Sequence, residues 1–217
     1  MRPIAFIVAV LLAAGSAFAS VDRLVIHEWG TFTSLQDEDG RSIGAINSDD
    51  ERLPPFVHDL IQSEFQYYKG GVPDSFPSVT MRLETPVLYI HPAPGMKVPP
   101  LDVTVHFRGG LLTQFYPLAA ASRPRFTNAQ LDPITADTDG RLAWAHLTVG
   151  GDAAGPATDA HVWTAPRDVA GIANFSANGE SEKFLFYRGV GHLDAPVRVV
   201  RHSNLLMFQN QVEFPLV

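Results

Sequence analysis

The pentapeptide HEWGT at His27 to Thr31 carries the densest chemistry in the chain. It opens like the HExxH helix of zinc proteases, but that motif needs a second histidine one helical turn on. Position 31 is Thr, and the surrounding VDRLVIHEWGTFTS is β-branched and aromatic, hence strand-like. In a strand His27 and Glu28 point to opposite faces, so one can line a cleft while the other lies against the core. His192 and Asp194, and likewise Asp159 and His161, stand two residues apart. On a strand each pair would share a face, and an imidazole beside a carboxylate suits zinc or iron. A divalent-metal site built from His27, His192 and Asp194 is therefore one candidate. Spacing of two is weak among eight histidines, and most of these side chains are expected on the surface or hydrogen-bonded in the core.

Other local patterns carry less. Asp37, Asp39 and Gly40 resemble the start of a calcium loop, but position 48 is Ser where the EF-hand needs Glu. A solvated acidic loop is the expectation there. Arg188 stands in the apolar run FLFYRG. If buried it needs a partner, with Glu28 or Glu84 the carboxylates in view; the alternative is a solvent-facing position. No G-x-S-x-G, P-loop or G-x-G-x-x-G occurs. The aromatic set Trp29, Trp144, Trp163, Tyr89 and Tyr116 can stack on sugars or fill a core.

These residues must be positioned by strands. Glycine and proline, 17 each in 217 residues, exceed their usual combined share of about 12%. Short strands divided by Pro, Gly, Asn and Asp run through the chain. Val79 to His91 is a strand interrupted at Pro86, and Val21 to Ser34 is one kinked at Gly30. Asp102 to Arg108 alternates, with Val103, Val105 and Phe107 on one face. Gly109-Gly110 and LLTQFY then read as a hairpin. Further strands are expected at Arg141 to Val149, His161 to Ala165, Lys183 to Arg188, Ala195 to His202 and Leu205 to Val212. The last two pair through Ser203-Asn204. One amphipathic helix is predicted at 56–69, between Pro54-Pro55 and Gly70-Gly71, with Val57, Ile61, Phe65 and Tyr68 on its apolar face. No βαβ alternation appears. The predicted fold is mainly β, an antiparallel β-sandwich carrying that single helix.

The N-terminus supplies Arg2, an apolar run from Ile4 to Ala14 and Ala17-Phe18-Ala19. These are the three parts of a cleaved signal peptide over 1–19, and the run is too short to span a bilayer. The expectation is a periplasmic or secreted chain with one β-rich domain over 20–217. There is no cysteine, which excludes disulfides, thiolate metal sites and cysteine nucleophiles. The formal charge is −7, with only three lysines and dispersed arginines, so nucleic acid is not an expected partner. No later apolar run is long enough for a transmembrane segment.

HEWGTFTSLQDEDG, LPPFVH, RLETPVLYIHP, FRGGLLTQFYP and GESEKFLFYRGVGHLDAP together resemble a family of uncharacterised exported bacterial proteins. HEWGT and EKFLFYRG are the most specific parts, and the resemblance runs from about Leu24 to Val200. It implies export, and it implies that the chain corresponds to the N-terminal part of a longer protein, with a C-terminal half to follow. It brings no catalytic residue, substrate or cofactor with it.

The leading functional expectation is a binding or structural module. Its face would be built from His27, Glu28, Trp29 and Thr31 with Arg188, His192 and Asp194. A metal-assisted hydrolase, in which the cation activates a bound water, and a carbohydrate-binding module are the alternatives.

Overall fold

The computed structural model describes residues 23–46, 52–65, 76–84, 86–127 and 130–213. The expected signal peptide and residues 66–69 of the expected helix lie outside them. Strands come in chain order as β1 (Val25–Trp29), β2 (Phe32–Gln36), β3 (Ser42–Ile43), β4 (His58–Asp59), β5 (Met81–Leu83) and β6 (Val87–His91). Then follow β7 (Leu101–Arg108), β8 (Gly110–Tyr116), β9 (Ala120–Ala121), β10 (Phe126–Thr127), β11 (Gln130–Leu131) and β12 (Asp139–Val149). The chain continues through β13 (Phe175–Ala177), β14 (Glu180–Glu182), β15 (Leu185–Gly191), β16 (Val197–His202) and β17 (Leu205–Asn210). The helices are α1 (Leu60–Phe65) and α2 (His161–Thr164), the latter running into a 3-10 turn at Ala165–Asp168. The fold is mainly β and of the sandwich class, as the alternation predicts.

Two groups of strands form its layers. In one, β15 is central, flanked by β8 on one side and by β5 and β6 on the other. Beyond these lie β2 and β1, each antiparallel to its neighbour. In the second, β12 pairs with β7, β9 and β13. Leu112, Phe115, Leu185 and Ile90 from the first layer pack with Leu142, Trp144, Leu147 and Phe107 from the second in the main core. Burying apolar surface at about 25 cal/mol per Å² is what drives such a pairing of sheets.

Several local expectations change. The stretch 101–116 is a corner, not a hairpin. β7 pairs with β12 while β8 pairs with β15, and Gly109, at φ +82°, turns the chain between the layers. The layers also meet where Asp139 pairs with Gly110. There a Cβ on Gly140 would stand 2.6 Å from the Gly110 carbonyl oxygen, so only glycine allows the approach. The kink at Gly30 is a full break between β1 and β2. It faces Pro86, the break between β5 and β6, whose Cα would lie 2.9 Å from a Cβ at position 30. Two irregularities in the sequence are thus one irregularity in the sheet.

The helix expected from residue 56 starts at Leu60. His58 and Asp59 pair with Phe115 and Gln114 of β8, and the Asp59 carboxylate then accepts from the Gln62 N–H at 2.8 Å. That is an N-cap on the side-chain oxygen, and it outcompetes the two prolines as the starting signal. His161 to Ala165 is helical, not a strand. The final hairpin forms as expected, with Ser203 at φ +55° in its turn. Among the described residues no helix is long and apolar enough to cross a membrane.

Because the atoms facing Gly140 are backbone, they cannot swing aside. Gly140→Ala is expected to cost about 1–3 kcal/mol by overpacking. Urea unfolding followed by tryptophan fluorescence reads this as a lower midpoint at unchanged slope.

Candidate functional site

A cavity of about 460 Å³ opens between the β1–β6 edge of the sheet and the α2 segment. Strand alternation builds its sheet side. His27 pairs with Tyr89 and Trp29 with Val87, while Phe186 of β15 stands opposite Val87. These side chains share one face, and Glu28, between His27 and Trp29, is on the other. There the Glu28 carboxylate accepts a hydrogen bond from the Tyr187 hydroxyl. Burial first, and then the Glu28 hydrogen bond and charge, push the Tyr187 phenol far above its ordinary range, so it stays a donor.

The opposite wall is α2 with its 3-10 turn, which presents His161, Val162, Trp163 and Pro166. Eight residues of helix have little stability of their own. What fixes them is Glu182, which is 0% exposed. Its carboxylate accepts from Trp163 Nε1 at 2.8 Å and from Arg167 at 2.5 Å (Nη2) and 3.0 Å (Nε). It also accepts from the Lys183 N–H at 2.8 Å. Arg167 Nη2 donates in addition to the Pro156 carbonyl at 2.8 Å, and Lys183 Nζ to that of Arg167 at 3.0 Å. Gly155 leaves room for this clasp, since a Cβ there would stand 2.4 Å from Glu182 Oε2.

Trp163, held this way, is the hub of an aromatic cluster. Its ring centroid lies 5.0 Å from Phe186, 5.1 Å from Phe56, 5.2 Å from Phe184 and 5.8 Å from Tyr116. Tyr116 is buried near two carboxylates. Burial, then the charges of Glu180 and Glu182, push its phenol up to about 12. Burial also raises Tyr89, whose hydroxyl donates to the Pro166 carbonyl at 3.2 Å. His58 stacks on Phe115 and Tyr116 and meets the Glu180 carboxylate at 3.0 Å.

The residues singled out in the sequence divide between two regions. His27 and Trp29 line the cavity, as does His161; Glu28 lies behind it. Thr31 is at the Gly30 break, where its carbonyl accepts from the Glu84 N–H at 2.9 Å. Arg188 is 3% exposed, which excludes the solvent-facing alternative. Its Nε donates to the main-chain carbonyl of Glu84, and its guanidinium sits 5.7 Å from the Phe186 ring centre. The Glu84 carboxylate lies 3.4 Å from Arg82, and that of Glu28 serves Tyr187. His192 and Asp194 follow the far end of β15, roughly 20 Å away along a strand rising about 3.3 Å per residue. There the His192 ring meets the Ser78 carbonyl at 2.7 Å and Asp194 accepts from the Ser42 hydroxyl at 2.7 Å. The structure does not bring His27 together with these two. Among the described residues no three His, Asp or Glu side chains are grouped to hold a metal ion. Asp37 spends its carboxylate on the Asp39 and Arg41 N–H groups within its own turn.

Arg167 and Glu182 form the part of the site that motif reading passed over, and Trp163, in the sequence an aromatic for sugar stacking or core, is placed by them. The available signal was a glutamate just ahead of FLFYRG together with an arginine after Pro166. Comparison of the chain with protein-family models, with curated proteins and with solved structures finds no match.

Two outcomes test the clasp. Glu182→Leu is expected to cost about 3–5 kcal/mol, because it strands the Arg167 guanidinium. Glu182→Leu combined with Arg167→Met is expected to recover part of that loss in urea unfolding. The phenols act at alkaline pH. An unfolded tyrosine ionises near about 10, while folded Tyr116 holds its proton to about 12. The unfolded chain therefore binds fewer protons across that window, and stability, constant below it, falls as pH rises from 10 to 12. Tyr116→Phe is expected to flatten this decline, measured by denaturation at stepped pH.

Proposed function

We propose that the chain is an exported ligand-binding module and that the cavity between β1 and α2 is its binding site. The leader-like residues 1–19 support export to the periplasm or the cell exterior. The observation that carries the binding reading is the cavity's composition. About 460 Å³ falls in the range of small-molecule pockets, which join apolar and aromatic walls to a few polar groups. Here buried Trp163, Phe184 and Phe186 form the floor, and the exposed His27, Trp29 and His161 form the rim. A purely structural module gains nothing from leaving Trp29 63% exposed over such a floor. A sugar platform needs several aromatic faces open to solvent. Trp144, Trp163, Tyr89, Tyr116 and Tyr187 are all buried, which favours a ligand whose apolar part is enclosed instead.

The neutral fluorescent probe N-phenyl-1-naphthylamine tests this on the chain from Ser20 onward. Saturable binding is expected, weakened at least tenfold by Ala165→Phe, which fills the cavity from the α2 side, and by Trp29→Ala. Absence of saturable binding, or binding indifferent to both variants, overturns the proposal.

A further inference from the structure

We infer that the ligand of this cavity is a small aromatic carboxylate, its ring seated on the buried floor and its anionic group held at the rim. The inference rests on the binding reading above and names the class of ligand. It comes from which polar groups the protein has already used. Every buried side-chain nitrogen and oxygen among the described residues has a partner. At the cavity the pattern reverses. The Tyr89 hydroxyl is committed to Pro166 and the Trp163 indole N–H to Glu182. Among the described residues the His27 and His161 rings and the Trp29 indole N–H find no hydrogen-bond partner. His27 has ring neighbours only, Tyr89 at 6.2 Å and His91 at 6.1 Å between centroids.

All three free groups donate. An indole N–H only donates, and a neutral imidazole in either tautomer offers one N–H beside one acceptor nitrogen. They come from both walls of one cavity, His27 and Trp29 from β1 and His161 from α2, so a ligand at its mouth can meet donors from either side. The complement is an oxygen acceptor, and an ionised one forms the stronger bonds. Among the described residues no carboxylate lines the cavity; the nearby Glu182 is sealed behind Trp163 and matched by Arg167. A cationic ligand would find no counter-charge. A polyanion is disfavoured by a chain of net charge −7 and by a lining that holds no Lys or Arg among the described residues. A single carboxylate on a flat ring satisfies the floor and the rim together.

The experiment compares 2-naphthoate, its neutral amide and the cationic 2-naphthylmethylamine on the chain from Ser20 onward by competition with N-phenyl-1-naphthylamine. Naphthoate is expected to bind at least tenfold more tightly than the amide. His27→Gln and His161→Gln are each expected to narrow that ratio. The ratio is internal to each variant, so a loss of fold, visible as loss of the probe signal, is told apart from a loss of preference. Trp29→Phe keeps the stacking face and removes the donor, and it should narrow the ratio as well. Equal binding of naphthoate and amide, tighter binding of the amine, or a ratio unmoved by both histidine variants overturns the inference while leaving the cavity a binding site. Failure of the neutral probe itself overturns the binding reading and this inference with it.

Discussion

A single carboxylate with no exposure to solvent, that of Glu182, ties the cavity wall to the sandwich. A buried charge is tolerated only when paired and fully hydrogen-bonded, and Glu182 meets both conditions. Its partners come from α2, the 3-10 turn and its own strand end, so one desolvated group sets the position of a segment too short to be helical unaided. The arrangement is specific rather than strongly stabilising. Replacing a buried ion pair by apolar groups often costs nothing, but apolar groups would not dictate where the guanidinium and the indole N–H must lie. Trp163 is oriented by that bond, and the aromatic floor is oriented by Trp163.

The opposite wall depends on the two-residue period of a strand. β1 is an edge strand, exposed along its length and paired on one side with β6. The Glu28–Tyr187 hydrogen bond on its inner face gives it a second attachment. With Glu28 turned inward, His27 and Trp29 must face the cavity. A slip of one residue in register would turn the histidine away from the cavity and the glutamate towards it. The same alternation explains why HEWGT could not act as a helical metal motif: its two polar residues serve different faces of one sheet.

Much of this was legible in the sequence wherever the determinant is local. Val103, Val105 and Phe107 turn inward as their spacing requires, and the final hairpin follows from its turn residues. The breaks at Gly30 and Pro86 could be marked as irregularities. That they face each other depends on pairing across more than fifty residues. HVWTA has the composition of a strand and is helical because Glu182, distant in the chain, holds Trp163 and Arg167. Gly109-Gly110 has the composition of a hairpin turn and is a corner because each flanking strand finds a better partner elsewhere. The apolar surroundings of Arg188 left burial and a solvent-facing position both open, and a main-chain carbonyl among its acceptors leaves no mark in a sequence. The proposed metal pair at His192 and Asp194 failed to meet His27 for a reason of distance along β15, which motif spacing does not encode.

A chain without cysteine must specify its fold through packing and through polar groups that have only one satisfying arrangement. Among the described residues every buried side-chain polar atom has a partner: the Trp144 indole N–H on the Pro117 carbonyl, the Thr80 hydroxyl on that of Leu193, and Glu182 on its four donors. Unsatisfied donors are then tolerable only where water can reach them. In the described part of the cavity they occur together, at the rim of an otherwise apolar hollow. Water satisfies them loosely, and a ligand that presents an acceptor at the rim and a ring to the floor releases that water while restoring the bonds. The economy that keeps the core free of idle polar groups is what makes the idle ones at the cavity informative.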